Sequence, residues 1–465
     1  MLQKLYENRN KLIFAGLLIL LVSVLILIGY AIAILRSNTF YDGIYVENID
    51  VSGMSRAEAR KLIEHETARL YNKNLVLTYY GSVWTVNPNE ISFKADIDEA
   101  LDRAYSLGRR GNFLKRLYDV IDLNNSRTYI STHAGYDEAK LTDILYGIKQ
   151  NIDCMPKNAK VEFKGGNILL FKDEKGRLLD IESSKKTIEQ AVISKKFGKV
   201  ELTVKDKYAD IIYSDIENIN GIISSYTTTF DSSNADRTHN IKLSCGRINN
   251  IVLKPGEVFS MNKALGSRTL ENGYKEAKVI FKNEFVNGVG GGVCQVTTTL
   301  YNAVLKSRLK IIQRRNHSLP LSYVSPGQDA TIAEDYIDFR FKNNKAHSIV
   351  ISSEVSGSNV IFRILGKKDE NEYTVKLKSV IIEEYFPEGE DYIVDNTIPD
   401  LEKVQVRKAI NGCKAILFRE TYDKSGKLIE TEKISEDVYK PVKPQYKVNQ
   451  NFINGIQQEG TNPLE

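Results

Sequence analysis

The residue in this chain whose type and setting best suit it to chemistry is Cys294, which follows Gly290-Gly291-Gly292 and sits where a helix begins. Val296, Thr299, Leu300, Ala303 and Val304 keep the i, i+3, i+4, i+7, i+8 spacing of one buried face, so the helix is predicted to start at the cysteine. A thiol in a first turn feels the positive end of the helix dipole, and a neighbouring imidazole lowers its pKa further. The backbone N–H groups of Gly291, Gly292 and Gln295 at that helix start are the expected donors to an oxyanion, and the glycines would let a substrate backbone approach. Such a group is a nucleophile for acyl transfer.

A nucleophile of this kind needs a base. Ile311-Ile312 are expected to begin a strand ending at Asn316-His317, 23 residues past the cysteine, which makes His317 the candidate base. For the third group, Asp329 lies 12 residues further on, in a turn after Pro326-Gly327, and Asp338 alternates with Ile337 and Phe339 on a strand. Asp329 is preferred and Asp338 stays open. Asn316 is weaker, because neighbours on a strand point to opposite faces. Arg268, Arg314 and Arg315, like Arg237, have the chemistry to hold a stem-peptide carboxylate by paired hydrogen bonds, with Tyr274, Ser260 and Asn262 lining the cleft. The plainer alternatives are a packing cysteine, a structural histidine and arginines in salt bridges. Cys245, in the pattern Ile241, Leu243, Cys245, reads as buried, and Cys154 and Cys413 carry no functional expectation. The four cysteines lie far apart and no His or Cys pair has ligand spacing, so neither a disulfide framework nor a metal site is expected, and no cofactor is implied.

Around these residues, Arg237-Thr238-His239-Asn240-Ile241, Pro255-Gly256-Glu257-Val258-Phe259-Ser260, Gly273-Tyr274, the glycine-cysteine stretch, Arg314-Arg315-Asn316-His317-Ser318 and Asp329-Ala330-Thr331 follow one another in an order that resembles the VanW domain family. The likeness runs from about 226 to 343. That family takes its name from a vancomycin-resistance cluster, and the name states no activity. Cysteine at a helix start, then histidine, then a carboxylate is also the order found in papain-like and transglutaminase-like enzymes.

The chain has 465 residues, with Lys+Arg 64 against Asp+Glu 59 for a net +5, and 42% hydrophobic residues. That balance excludes a disordered tail, a multi-span membrane protein and a dedicated nucleic-acid binder, and the length suits about three domains. Residues 12–35 carry no charge and are long enough to span a bilayer core. Lys4, Arg9 and Lys11 precede them, so the N-terminus (1–11) is expected inside and the rest outside the cell. A cleaved signal peptide with Ala31 and Ala33 at its small-residue site is the competing reading.

Two copies of a strand, hairpin, strand and helix grammar are expected at 45–130 and 131–205. Asp50-Val51-Ser52-Gly53-Met54-Ser55 with Glu58-Ala59, and Asp173-Glu174-Lys175-Gly176-Arg177 with Leu179-Asp180-Ile181, resemble the peptidoglycan-binding domain that precedes catalytic domains in some bacterial wall enzymes. A plain spacer is the alternative. The VanW domain would occupy 215–368, a small β module 370–443 and a disordered tail 444–465. The expected class is therefore α+β: one N-terminal transmembrane helix, tandem α+β modules, a mixed α/β domain with Cys at a helix N-terminus, and the β module.

The tandem modules resemble those accompanying L,D-transpeptidases, whose usual catalytic domain places His before Ser-x-Gly-Cys, the reverse of the order here. These likenesses imply a wall enzyme forming 3-3 cross-links through a thioester on Cys294, or acting as a carboxypeptidase or endopeptidase if water intervenes. The implied partners are peptidoglycan stems and the membrane, with no nucleic acid. The other class is a non-catalytic peptidoglycan- or glycopeptide-binding protein contributing to vancomycin-type tolerance.

Overall fold

The computed structural model describes residues 2–71, 73–281, 284–334, 336–368 and 373–459. Helices and strands are both abundant, and the class is α+β. The chain forms two units: residues 1–156 with 175–208, and residues 157–174 with 209–465.

The first unit starts with a helix, Leu2–Leu35, in which Asn8–Leu35 is long and apolar enough to cross a membrane; its most apolar stretch is exposed, and Ala31 and Leu35 near its end are buried. Two apolar cores follow. In one, strand Ile44–Val46 runs between Ile49–Asp50 and Thr128–Ile130, packing Ile44 and Val46 against Ala59, Ile63, Ala100, Leu101 and Ala104. Ser55 and Glu58 close the capping box on helix Arg56–Tyr71: the Ser55 N–H donates to the Glu58 carboxylate at 2.8 Å, and the Glu58 N–H to Ser55 Oγ at 3.3 Å. The other core joins Leu75, Leu77 and Val86 to Leu141, Leu145, Ile188 and Val200.

The hairpin Leu75–Tyr79 and Ser82–Val86 therefore does not pack with the segment preceding it, as a boundary near 130 would require. It pairs with strand Lys199–Glu201 and fills the next core. An isolated two-stranded hairpin is marginal in water and takes whatever apolar face completes it. The hairpin at Lys160–Lys164 and Asn167–Phe171 does the same one step on, packing Val161, Phe163, Ile168 and Leu170 with Ile216, Ile219, Val350 and Leu365 in the second unit.

The second unit is built on an antiparallel sheet of four strands in the order Gly221–Thr229, Asn359–Gly366, Ile349–Ser356 and Ile251–Leu253. Helices Ala235–Ile248 and Val293–Lys306 share its core, and a smaller sheet of Val258–Ser260, Arg340–Lys342 and Lys310–Gln313 flanks it. Helix Val293–Lys306 is buried on every side from Gln295 to Leu305, not on the single face that its spacing predicts. Polar members of the helix bond inward: Thr298 Oγ1 donates to Ala330 O and Asn302 Nδ2 to Gln328 O, while Asn302 Oδ1 is buried without a partner.

Cys245 is buried, on helix Ala235–Ile248. Two sequence expectations change here. The strand before His317 stops at Gln313, leaving the histidine on an irregular segment. Residues 444–459 are ordered: Gln445–Val448 is the middle strand between Asp391–Val394 and Lys403–Arg407, and helix Gln450–Glu459 follows it. Residues 460–465 lie outside the described residues. The other sheet of the β module, Thr374–Tyr385, Gly412–Tyr422 and Leu428–Tyr439, is not a separate bead, because its Leu417 is fully buried in the core of the second unit.

Candidate active site

The three glycines before the cysteine have a packing explanation. Gly290 and Gly292 have φ of 86° and 108°, the left-handed region that side chains avoid. A Cβ at Gly291 would come 2.7 Å from Ala277 Cβ and Lys278 O, and one at Gly292 would come 2.9 Å from Ile241. The space beside these two residues is thus filled by protein, whereas the sequence reading reserved it for substrate. Gly292 caps helix Val293–Lys306, which makes Cys294 its second residue. The Val293, Gln295 and Val296 amides all bond back to Gly290 or Gly292 carbonyls, while the Cys294 N–H has no partner among the described residues. That amide is the one in this first turn that is placed to donate to a bound anion. The Gln295 side chain is committed elsewhere, accepting from Arg237 and donating to Thr228 and Thr229.

Cys294 is half-buried, and its sulfur lies 3.6 Å from Thr331 Oγ1 and 3.9 Å from Ile332 O. His317 is buried. Its backbone N–H donates to Asp329 Oδ2 at 2.6 Å and its Nδ1 lies 2.7 Å from the same oxygen, leaving Nε2 for the thiol. Burial pushes the Cys294 thiol up, but the hydrogen bond and charge of His317 outweigh it and bring the thiol down to about 7. Burial likewise pushes His317 down, while Asp329 and Cys294 raise it to about 9. Burial also opposes charge on Asp329, and His317 and Arg314 hold it below the usual carboxylate range. Between about 7 and about 9 the pair favours a thiolate beside an imidazolium.

The structure gathers Cys294, His317 and Asp329 in one place. Asp338 is elsewhere: it accepts from Ser260 Oγ at 2.6 Å and from the Asn262 N–H at 2.9 Å, and so holds a short helix start. Asn262 in turn donates to Ala333 and Ile337 carbonyls and accepts from Arg268, whose backbone N–H donates to Glu334. Ser260, Asn262 and Arg268 thus hold Ala333, Glu334, Ile337 and Asp338. Tyr274 is buried beneath Arg247. Arg314 is bound between Asp329 and Asp437 and is not available to a substrate. Arg315 keeps an exposed side chain, and its carbonyl accepts from Thr331, the residue on the sulfur. Asn316 donates to the His317 and Val438 carbonyls.

Sequence reasoning passed over Tyr323, which shares hydrogen bonding with Thr298, feels the Cys294 charge, and is pushed up by burial. It also passed over Tyr439 and Asp437, both on the last long strand of the β module. Only Pro326-Gly327, marking the turn that carries Asp329, hinted that something would have to pack there.

Residues 236–365 match the family described as "VanW like protein". The chain carries a VanW domain. Cys294, His317 and Asp329 all lie inside the match, and Asp437 and Tyr439 lie beyond it. Residues 84–201 match the "Putative peptidoglycan binding domain" family, largely the part of the first unit holding its second core. Two curated relatives are similar over about 140 residues. The "Uncharacterized protein YoaR" of Bacillus subtilis is 45% identical over 30% of this chain and 47% of its own. The "Vancomycin B-type resistance protein VanW" of Enterococcus faecalis is 28% identical over 29% of this chain and 50% of its own. The match thus spans about half the length of each of these relatives. A solved structure titled "Crystal structure of HP0197-G5" aligns over 17% of this chain and 99% of its own at 22% identity, with a TM-score of 0.10. A VanW domain preceded by a peptidoglycan-binding domain marks a cell-wall-associated protein.

Proposed function

We propose that this protein is a membrane-anchored cysteine acyltransferase of the cell wall, an L,D-transpeptidase-like enzyme that acts on peptidoglycan stem peptides. One observation carries the reading: the Cys294 thiol faces a buried histidine whose other ring nitrogen lies 2.7 Å from a carboxylate. A packing cysteine needs no such pair. Cys294, His317 and Asp329 take the roles of nucleophile, acid–base group and orienting carboxylate.

In the first half-reaction the Cys294 thiolate attacks the carbonyl carbon of the third stem residue, forming a C–S bond and an oxyanion held by the Cys294 N–H. Collapse breaks the C–N bond to the terminal D-Ala, whose nitrogen takes the proton of the His317 imidazolium. In the second half-reaction a side-chain amine of another stem attacks the thioester and gives its proton to His317, and the thiolate leaves. The product is a 3-3 cross-link; water in place of the amine makes the same site a carboxypeptidase. Arg315 is the exposed cation assigned to a stem carboxylate. The helix over 8–35 serves as a retained anchor with the N-terminus in the cytoplasm, so that the two units face the wall.

The test uses the full chain in detergent with tetrapeptide-stem muropeptides, read by mass spectrometry beside Cys294→Ala and Cys294→Ser. Release of D-Ala and appearance of dimers with the native chain alone support the enzyme. Unchanged muropeptides that nonetheless bind would make the protein a wall-binding module instead. A membrane-fraction blot giving a mass shortened by the first 35 residues would overturn the anchor.

A further inference from the structure

We propose that the C-terminal β module is part of the catalytic apparatus, with Tyr439 and Asp437 as positioning residues that hold Asp329 on His317. This deepens the acyltransferase reading and rests on it.

The argument follows the oxygens of Asp329. Oδ2 receives the His317 N–H at 2.6 Å and Nδ1 at 2.7 Å. Oδ1 receives the Tyr439 hydroxyl at 2.5 Å and an Arg314 N–H at 3.1 Å. A carboxylate has about four acceptor positions, so each is taken and the rotamer is over-determined. The Tyr439 oxygen also accepts the Gly327 N–H at 2.6 Å, tying the carboxylate to the turn two residues ahead of it. Burial and the Asp329 charge push the Tyr439 phenol far above its ordinary value, so it stays protonated and keeps donating.

Asp437 works through Arg314. One guanidinium nitrogen lies 2.7 Å from both Asp437 oxygens, while others donate to Asp329 O at 2.7 Å and Gly327 O at 3.2 Å. The side chains of Asp329, Arg314 and Asp437 are 2%, 7% and 8% exposed, so these charges are out of water and depend on one another. Asp437 and Tyr439 are placed by strand Leu428–Tyr439, more than 100 residues downstream of Asp329 and past the end of the family match at 365. Without that strand, Oδ1 loses its short donor and Arg314 loses one of its two carboxylates. The carboxylate is then free to turn away from His317, and the imidazolium that depresses the thiol weakens.

The experiment compares full-length native protein with Tyr439→Phe, which keeps the ring and loses both hydrogen bonds, Asp437→Asn, and the exposed-turn control Lys427→Ala. Iodoacetamide alkylation of the Cys294 peptide is followed against pH by mass spectrometry, and muropeptide transfer is measured in parallel. In both site variants the alkylation midpoint is expected to rise by about one pH unit, and kcat to fall about tenfold or more with KM held, the effect of losing one hydrogen bond to a charged group. Lys427→Ala should match native. If folded Tyr439→Phe and Asp437→Asn keep the native midpoint, or move it down, the positioning role is overturned; should Tyr439→Phe fail to fold, Asp437→Asn alone decides. A shifted midpoint in a chain that leaves muropeptides untouched would sink the substrate reading and keep the positioning role. Normal transfer by both variants would do the reverse.

Discussion

Cys245 and Cys294 sit on two helices of one core and are driven in opposite directions. Cys245, on Ala235–Ile248, is 4% exposed, faces only packing neighbours, and is pushed up to about 12 by burial. Cys294, at the start of Val293–Lys306, is also pushed up by burial and still comes down to about 7. The difference is the imidazole opposite one sulfur and its absence opposite the other. Burial alone makes a thiol inert, and a buried charge of opposite sign reverses the outcome. The imidazole is effective because its own charge is secured by a carboxylate on the far ring nitrogen.

The contrast breaks most completely with Cys294→Ala. Transfer should drop by at least about 10³-fold, because nothing else in the site can form the thioester, whereas Cys245→Ala should leave turnover unchanged. Steady-state assays on the two variants test this, and residual turnover in Cys294→Ala near the native level would defeat it. Next in size is His317→Ala, which should make Cys294 behave like Cys245. Its alkylation midpoint should climb from about 7 toward the ordinary thiol range and transfer should fall about 10²- to 10⁴-fold, with about 1–3 kcal/mol of stability lost as Asp329 gives up the imidazole and keeps Arg314 and Tyr439. Alkylation profiles and urea melts measure the two effects separately.

The pH dependence sharpens the comparison further. Transfer needs the thiol deprotonated and the imidazole protonated, so the rate should rise through about 7, level off, and fall above about 9. Both limbs belong to the coupled pair rather than to either residue. Each unit outside the window costs about tenfold. Cys245 should stay unalkylated across the same range until the protein unfolds, and a single limb without the alkaline fall would argue against the imidazolium. The smallest effect is that of Cys245→Ala on stability, a loss of about 1–2 kcal/mol from the vacated sulfur volume, read as a shift in the urea midpoint.

Much of the fold was legible because it is local. The Ser55 and Glu58 caps, the apolar spacing that opens a helix at Cys294, and the uncharged stretch at 12–35 are each contained within a few turns of chain. The site was legible in part for the same reason: Cys294, His317 and Asp329 fall within 36 residues. The pattern failed where a residue's meaning depends on what packs against it. Gly291 looked like room for a substrate and is filled by Ala277, and Arg314 looked like a substrate clamp and is locked between two carboxylates. Tyr439 carried no signal, being one more aromatic at the end of a strand.

What the sequence by itself determined about this protein is that a glycine-led helix opens beside Cys294, that residues 12–35 form one long apolar helix, and that helices and strands alternate in an α+β chain, all of which follow from periodicity and composition over short windows. Only the tertiary structure decided which hairpin completes which core, which aspartate faces the histidine, and that a strand 108 to 110 residues downstream holds that aspartate. A buried charge is stable only where donors from distant segments converge on it, and that convergence has no signature in the order of residues.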